Sequence, residues 1–168
     1  MVRICRQLFL KQVQGLFVFS FALAIALLMP AVANAQRVRG QVDTPDGTIP
    51  TVNQFKGVTI GMLADEARKK LGSPRDKSAE QDFYMVNDNE VLQVYYDKGG
   101  AVSAISIDFM SGATAVPTSK EVFGADAEAK ADGSVYKLIR YPKAGYWVSY
   151  SRTAGNEATT TITMQKIQ

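Results

Sequence analysis

Between Gln81 and Phe109 the sequence alternates with period two, and two tight turns fix how that alternation folds. The runs Gln81–Asn87, Glu90–Lys98 and Ala101–Phe109 are rich in aromatic and β-branched residues, the composition of strands. Asp88-Asn89 and Gly99-Gly100 lie between them and suit hairpin turns that demand positive φ. Pairing Asn87 with Glu90 sets Met85 opposite Leu92 and Phe83 opposite Val94. Pairing Lys98 with Ala101 sets Val94 opposite Ile105 and Leu92 opposite Ile107. Both turns therefore put Phe83, Met85, Leu92, Val94, Ile105 and Ile107 on one face. Tyr84, Val86, Val91, Gln93, Tyr95, Ala104 and Ser106 fall on the other. A slip of one residue would scramble the two faces, so the chain is expected to keep this register.

The stretch Phe55–Pro74 carries the best helical pattern outside the apolar N-terminus. Ile60, Leu63, Ala64, Ala67 and Leu71 form one apolar stripe at helical spacing. Asp65 with Lys69, and Glu66 with Lys70, make acid-first i,i+4 pairs on the opposite side. Gly72 can close the helix in a left-handed conformation and Pro74 prevents its continuation. Such a helix is expected to cover a sheet.

The second half reads as a weaker copy of the first. Leu71-Gly72 recurs as Phe123-Gly124 and Phe83-Tyr84 as Val135-Tyr136, at one common offset. Pro117–Phe123 allows about two helical turns. Ser134–Tyr141, Gly145–Arg152 and Asn156–Lys166 then read as three more strands, with turns at Pro142–Gly145 and Thr153–Gly155. A three-residue turn at the latter sets Tyr146, Val148 and Tyr150 on one face with Thr160, Ile162 and Met164, and Trp147 on the opposite face. The expected fold is α+β. It has one antiparallel sheet of about six strands with a longer and a shorter helix packed on one face, arranged as two tandem helix-plus-meander repeats (55–110 and 116–168).

The first 35 residues stand apart. Arg3, Arg6 and Lys11 precede an uncharged apolar run from Gly15 to Met29, and Ala33-Asn34-Ala35 offers small residues where a signal peptidase reads them. Residues 1–35 are therefore expected to be a signal peptide, although Gly15–Ala35 is also long enough to be an anchor. Cleavage would leave a periplasmic or secreted chain starting near Gln36. It would remove three of the 19 basic residues and no acidic one, leaving 16 of each charge, so the apparent pI near 9.0 belongs to the leader. No Lys/Arg cluster interleaved with aromatics remains, and nucleic acid is not expected as a partner. Cys5 goes with the leader, so the mature chain has no disulfide. Gln36 stands where a lipoprotein needs cysteine, so no lipid anchor is expected. Residues 36–54, punctuated by Gly40, Pro45, Gly47 and Pro50, read as a linker or extended arm, with room for an edge strand around Arg37–Val42.

Chemistry-bearing residues are sparse. The chain has no histidine, and with Cys5 gone it lacks the usual general base, thiolate and soft metal ligands. No phosphate loop, nucleophile elbow or dinucleotide fingerprint appears. Asp82, Asp88, Asp97 and Asp108 fall at strand ends and turns and read as solvated edges. Lys69-Lys70 reads as a solvated helix face that could touch anionic lipid at a membrane surface. No catalytic residue, cofactor or metal is expected.

Gly61-Met62, Glu66-Ala67, Leu71-Gly72-Ser73-Pro74, Phe83-Tyr84, Leu92-Gln93-Val94-Tyr95-Tyr96 and Gly100-Ala101-Val102-Ser103-Ala104-Ile105 together resemble the SmpA/OmlA (BamE-like) family. Its members are small envelope proteins of the outer-membrane β-barrel assembly machinery. That family usually has a capping threonine after Gly-Met. Here Leu63 occupies the place, so Thr59 is the expected cap of a longer helix. Two helix-plus-meander units in tandem are also similar to the β-lactamase inhibitor protein, whose sheet face grips an enzyme. Both resemblances imply a binding fold rather than a catalytic one.

Helices on one side leave the other side of the sheet open. The aromatic residues assigned there, Tyr84, Tyr95, Tyr136 and Trp147, are the expected protein-binding face, with Val86, Val91 and Leu138 beside them. The expected function is an exported, non-enzymatic protein-binding domain in outer-membrane or envelope assembly or maintenance. The alternative is an inhibitor of a secreted or periplasmic enzyme such as a β-lactamase-type hydrolase; lipid or small-ligand carriage is a third class. Exported material should begin at Gln36, which N-terminal sequencing or intact mass decides. A full-length species held in membranes would make Gly15–Ala35 an anchor.

Overall fold

The computed structural model describes residues 50–168 and the backbone of residues 41–43. The leader 1–35, its cleavage point at Gln36 and most of the 36–54 arm lie outside the described residues. The elements are β1 (Gln41–Asp43), α1 (Ala64–Leu71), β2 (Asp76–Lys77), β3 (Gln81–Asn87), β4 (Glu90–Tyr96), β5 (Val102–Phe109), α2 (Ser119–Phe123), β6 (Val135–Tyr141), β7 (Tyr146–Arg152) and β8 (Thr160–Lys166). A 3₁₀ turn, Pro142–Ala144, joins β6 to β7. The fold is α+β: one sheet in the order β1-β6-β7-β8-β5-β4-β3-β2, antiparallel throughout except that β1 runs parallel to β6. Two short edge strands, β1 and β2, thus join the six expected from the sequence, and β1 overlaps the end of the Arg37–Val42 stretch where an edge strand had room.

Along β4, β7 and β8 buried residues alternate with half-exposed ones, and β5 does the same from Ile105 onward, with Ala104 also buried. Leu92, Val94, Ile105, Ile107, Val148, Ile162 and Met164 form one buried cluster with Ala67 of α1, Val122 of α2 and the loop residue Val58. Burying each large aliphatic side chain stabilises by about 1.5–3 kcal/mol. The small helix residues allow close approach to the strands.

The register of β4 on β5 is the expected one, Leu92 opposite Ile107 and Val94 opposite Ile105, but it is reached differently. The loop has three residues, Lys98–Gly100, and closes when Asp97 N–H donates to Ala101 O (2.8 Å) and Gly100 N–H to Asp97 O (2.9 Å). Ser103 then bulges out of the ladder and restores the pairing. Gly100 alone of the glycine pair has positive φ, +74°.

The β3–β4 hairpin departs from expectation. Asn87 does pair with Glu90, but Val86 is an extra residue, and beyond it Met85 lies opposite Val91 and Tyr84 opposite Leu92. Every side chain from Asp82 to Met85 therefore changes face. Phe83 and Met85 leave the core side, and Tyr84 joins it at 5 % exposure. Val86 packs against the core from the bulge. Alternation in the sequence carries no mark of an inserted residue, which is why the faces read wrongly there.

The first helix is shorter than expected and does not start at Thr59. Gly61 N–H donates to Val102 O (2.8 Å), Val102 N–H to Met62 O (2.8 Å) and Ala64 N–H to Gly100 O (3.0 Å). The backbone groups that would have made the first helical turn are thus spent on the start of β5. Leu63 takes the N-cap position without a side-chain cap and is exposed. Gly72 closes the helix at φ +87°, its N–H on Arg68 O. The second helix is capped more fully, since Thr118 and Glu121 form a reciprocal capping box and Gly124 ends it in the left-handed region. In the last hairpin Val148 lies opposite Met164 and Tyr150 opposite Ile162, so the expected faces hold. The two glycines of the β4–β5 loop should respond differently to valine. Gly100→Val should cost more than about 1 kcal/mol in denaturant unfolding, whereas Gly99→Val should cost less.

Candidate binding face

Three cross-strand rows build the second face of the sheet. The first runs Arg140, Trp147, Gln165, Ala104, Tyr95, Gln81 from β6 to β3. The next runs Leu138, Ser149, Thr163, Ser106, Gln93, Phe83, and the third Tyr136, Ser151, Thr161, Asp108, Val91, Met85. The bulky side chains sit towards the two ends of each row and the small polar ones in the middle. The face is therefore a strip of hydroxyl, amide, methyl and carboxylate groups on β5 and β8 between two borders of mainly bulky side chains, Arg140 and Gln81 being the polar ends of the first row. Trp147 and Tyr95 stand three strand spacings apart, about 14 Å. Ala104, Ser106, Thr163 and Gln165 floor an open trough of about 1180 Å³ beside the Lys98–Gly100 loop.

The strip is already organised by hydrogen bonds. Tyr95 Oη (2.9 Å) and Gln81 Nε2 (3.0 Å) both donate to Gln93 Oε1. Gln93 Nε2 donates to Asp108 Oδ2 (3.4 Å), and Thr161 Oγ1 to Asp108 Oδ1 (2.6 Å). Ser106 and Thr163 share a bond of 3.0 Å between their hydroxyls. A partner would meet fixed donors and acceptors, and little side-chain entropy would be lost on contact.

Of the four residues expected on this face, Tyr95, Tyr136 and Trp147 are there, each half-buried. They stand around the polar strip, with Lys130 Nζ 5.9 Å from the Tyr136 ring. Tyr84 is not on this face, because the Val86 bulge turns it inward; Phe83 takes its place. Val91 and Leu138 lie here as expected, and Val86 does not.

Sequence reading also missed the buried polar cluster on the opposite side. Asp82, expected at a solvated edge, is fully buried. Arg68 Nε donates to its Oδ2 (2.7 Å) and Nη2 to its Oδ1 (3.0 Å). Tyr96 Oη (2.7 Å) and Tyr84 Oη (3.4 Å) add two more donors to Oδ2. The Arg68 guanidinium lies 5.3 Å from the Tyr96 ring centre and also pairs with Asp65 at 3.4 Å. A visible signal was Arg68 itself, a cation four residues after Ala64 and three before Leu71, inside the apolar stripe.

Burial alone would raise the Asp82 carboxyl. The hydrogen bonds from Arg68 and Tyr96, with the Arg68 charge, outweigh it and hold the group below the usual carboxylate range. Desolvation and the Asp82 charge push the Tyr84 phenol up to about 12, and desolvation and the hydrogen bond to Asp82 push Tyr96 up as well. At neutral pH the cluster is a carboxylate ringed by a cation and two neutral phenols. Four donors converge on the carboxylate, three on Oδ2 and one on Oδ1, so Asp82 fastens β3 to α1 and β4.

No protein-family model, curated protein or solved structure matches the chain.

Asp82→Asn should destabilise at pH 7 by about 3 kcal/mol, because Arg68 loses its buried counter-charge and keeps only the exposed Asp65. A carboxyl whose folded pKa is depressed stabilises above its unfolded pKa, and that contribution is lost as pH falls through the folded value. The gap between wild type and Asp82→Asn should therefore narrow from about pH 4 downward. Urea melts across that range measure it.

Proposed function

We propose that this is an exported, non-enzymatic protein that binds another protein through the uncovered face of its sheet, in assembly or maintenance of the cell envelope. The observation that carries the proposal is the strict alternation of buried and half-exposed residues along β4, β7 and β8. One side is core. The other presents Tyr95, Tyr136, Trp147, Phe83 and Leu138 around a hydrogen-bonded strip to solvent among the described residues. Bulky borders with a polar centre suit a protein partner better than a lipid, because the strip would leave hydrocarbon facing fixed polar groups.

The strand order supports two helix-plus-meander units, β3-β4-β5 and β6-β7-β8, joined where β5 meets β8 antiparallel. On that reading α1 and α2 pack on one face, each contributing a small buried residue to the common core. This is the arrangement that suggested similarity to the β-lactamase inhibitor protein. The second reading, inhibition of a secreted hydrolase, draws on the open trough of about 1180 Å³ floored by β5 and β8 beside Tyr95, which has room for a loop of an enzyme.

The test uses the purified chain and pairs Trp147→Ala with Leu92→Ala. Trp147→Ala should keep its melting temperature and lower capture of an envelope partner, or inhibition of a β-lactamase-type hydrolase, by roughly thirty-fold. Leu92→Ala should lose about 2–5 kcal/mol of folding stability. A Trp147→Ala protein that unfolds, or that binds as well as wild type, removes the proposal.

A further inference from the structure

A second site lies at the free edge of β3, where Met85 ends the third row of the open face. The strand β2 is only two residues long and pairs Asp76 and Lys77 with Phe83 and Asp82. Arg75 N–H donates to Phe83 O (2.8 Å), so the odd-numbered residues of β3 turn their backbone groups outward. The next outward groups are those of Met85, and no described strand lies beside them. Met85 itself is 44 % exposed, the most open large apolar side chain on a strand among the described residues.

A pocket of about 330 Å³ opens at this edge, with Leu71, Val86 and Leu92 among its apolar lining and Lys56 and Arg75 as its charged groups. The lining includes two cations and no carboxylate. Neither cation pairs with a carboxylate among the described residues; Arg75 touches the Met85 sulfur, and Lys56 Nζ stands 5.8 Å from the Phe55 ring. Lys56 is held there by an unfavourable backbone. It is the one described non-glycine residue with positive φ, +47°, and with Gly57 (+82°) it forms the two-residue tip of a turn closed by paired bonds between Phe55 and Val58. Such turns favour Asn, Asp or Gly at both tip positions. A lysine costs stability there without improving the turn.

We infer that this pocket binds the free C-terminus of an extended peptide ending in an apolar residue. The peptide backbone continues the sheet beyond β2 on the bare groups of Met85. The terminal side chain enters against Leu71, Val86 and Leu92, and the carboxylate lies between Lys56 and Arg75. Strand addition supplies affinity and the pocket supplies selectivity, a combination open only to a chain that stops at the cations. The pairing of unpartnered cations with a bare strand edge favours a peptide over a simple fatty acid, which would leave the edge unpaired.

The test follows the methyl resonances of Leu71, Val86 and Leu92 in the purified chain. The probe is a pool of short randomised peptides ending in Leu, Val, Ile or Phe with a free carboxyl group. The same pool as C-terminal amides, and decanoate, are the comparison ligands. The free-acid pool should shift these methyls saturably, and the amides should bind at least roughly tenfold more weakly. Lys56→Asn and Arg75→Gln should each weaken the acid pool by a similar factor. Lys56→Asn should also raise the melting temperature slightly, since asparagine suits the turn, which a purely structural role for the lysine would not give. Equal binding of acid and amide, no shift with the acid pool, or decanoate acting as strongly as the peptides would each overturn the inference.

Discussion

The carboxylate of Asp82 is the point on which the first half of the domain turns. It lies on β3, its cation comes from α1, and its two phenols come from β3 and β4. Three elements are thereby fixed to one buried charge. A short helix of eight residues has little stability of its own. Its position depends on Ala67 in the core and on Arg68 reaching over the sheet edge. Hydrophobic residues of similar volume often replace a buried ion pair at no cost in stability, but here the charge gives the strand one acceptable face. If β3 slipped by one residue, Asp82 would lose its four donors and Phe83 would enter the core instead.

That dependence explains how far the sequence could be read. The six principal strands, their order within each meander and the pairings of Leu92, Val94, Val148 and Tyr150 were visible in periodicity and turn residues. Two single-residue bulges were not. At Ser103 the bulge offsets a loop one residue longer than expected, so the faces came out right. At Val86 nothing offsets it, so Tyr84 and Phe83 exchanged places. The difference is physical: the ladder can absorb an extra residue wherever side-chain chemistry rewards the new facing, and at β3 the reward is a satisfied carboxylate. The helix start was misjudged for a related reason, because backbone groups near Gly61 were claimed by β5, an element far along the chain.

The candidate face inherits both outcomes. Tyr95, Tyr136 and Trp147 reached it because the strands that carry them pair as expected. Its polar centre could be anticipated as hydroxyl-rich strands, but its cross-linking through Gln93 and Asp108 needed the relative placement of β3, β4, β5 and β8. Aromatic borders around a preset hydrogen-bond pattern distinguish this surface from a merely solvated sheet.

The junction of β5 with β8 has a consequence for how the chain is made. Until β8 is synthesised, β5 is a bare strand edge carrying Ile105, Ile107 and Phe109, and the ribosome must first deliver α2, β6 and β7. An apolar edge waiting for a distant partner is the situation in which nascent chains pair with one another. Synthesis would therefore favour a chain kept unfolded until its C-terminal strand is available. Truncation before Thr160 would part the sheet into two pieces, with the edges of β5 and β7 both left bare.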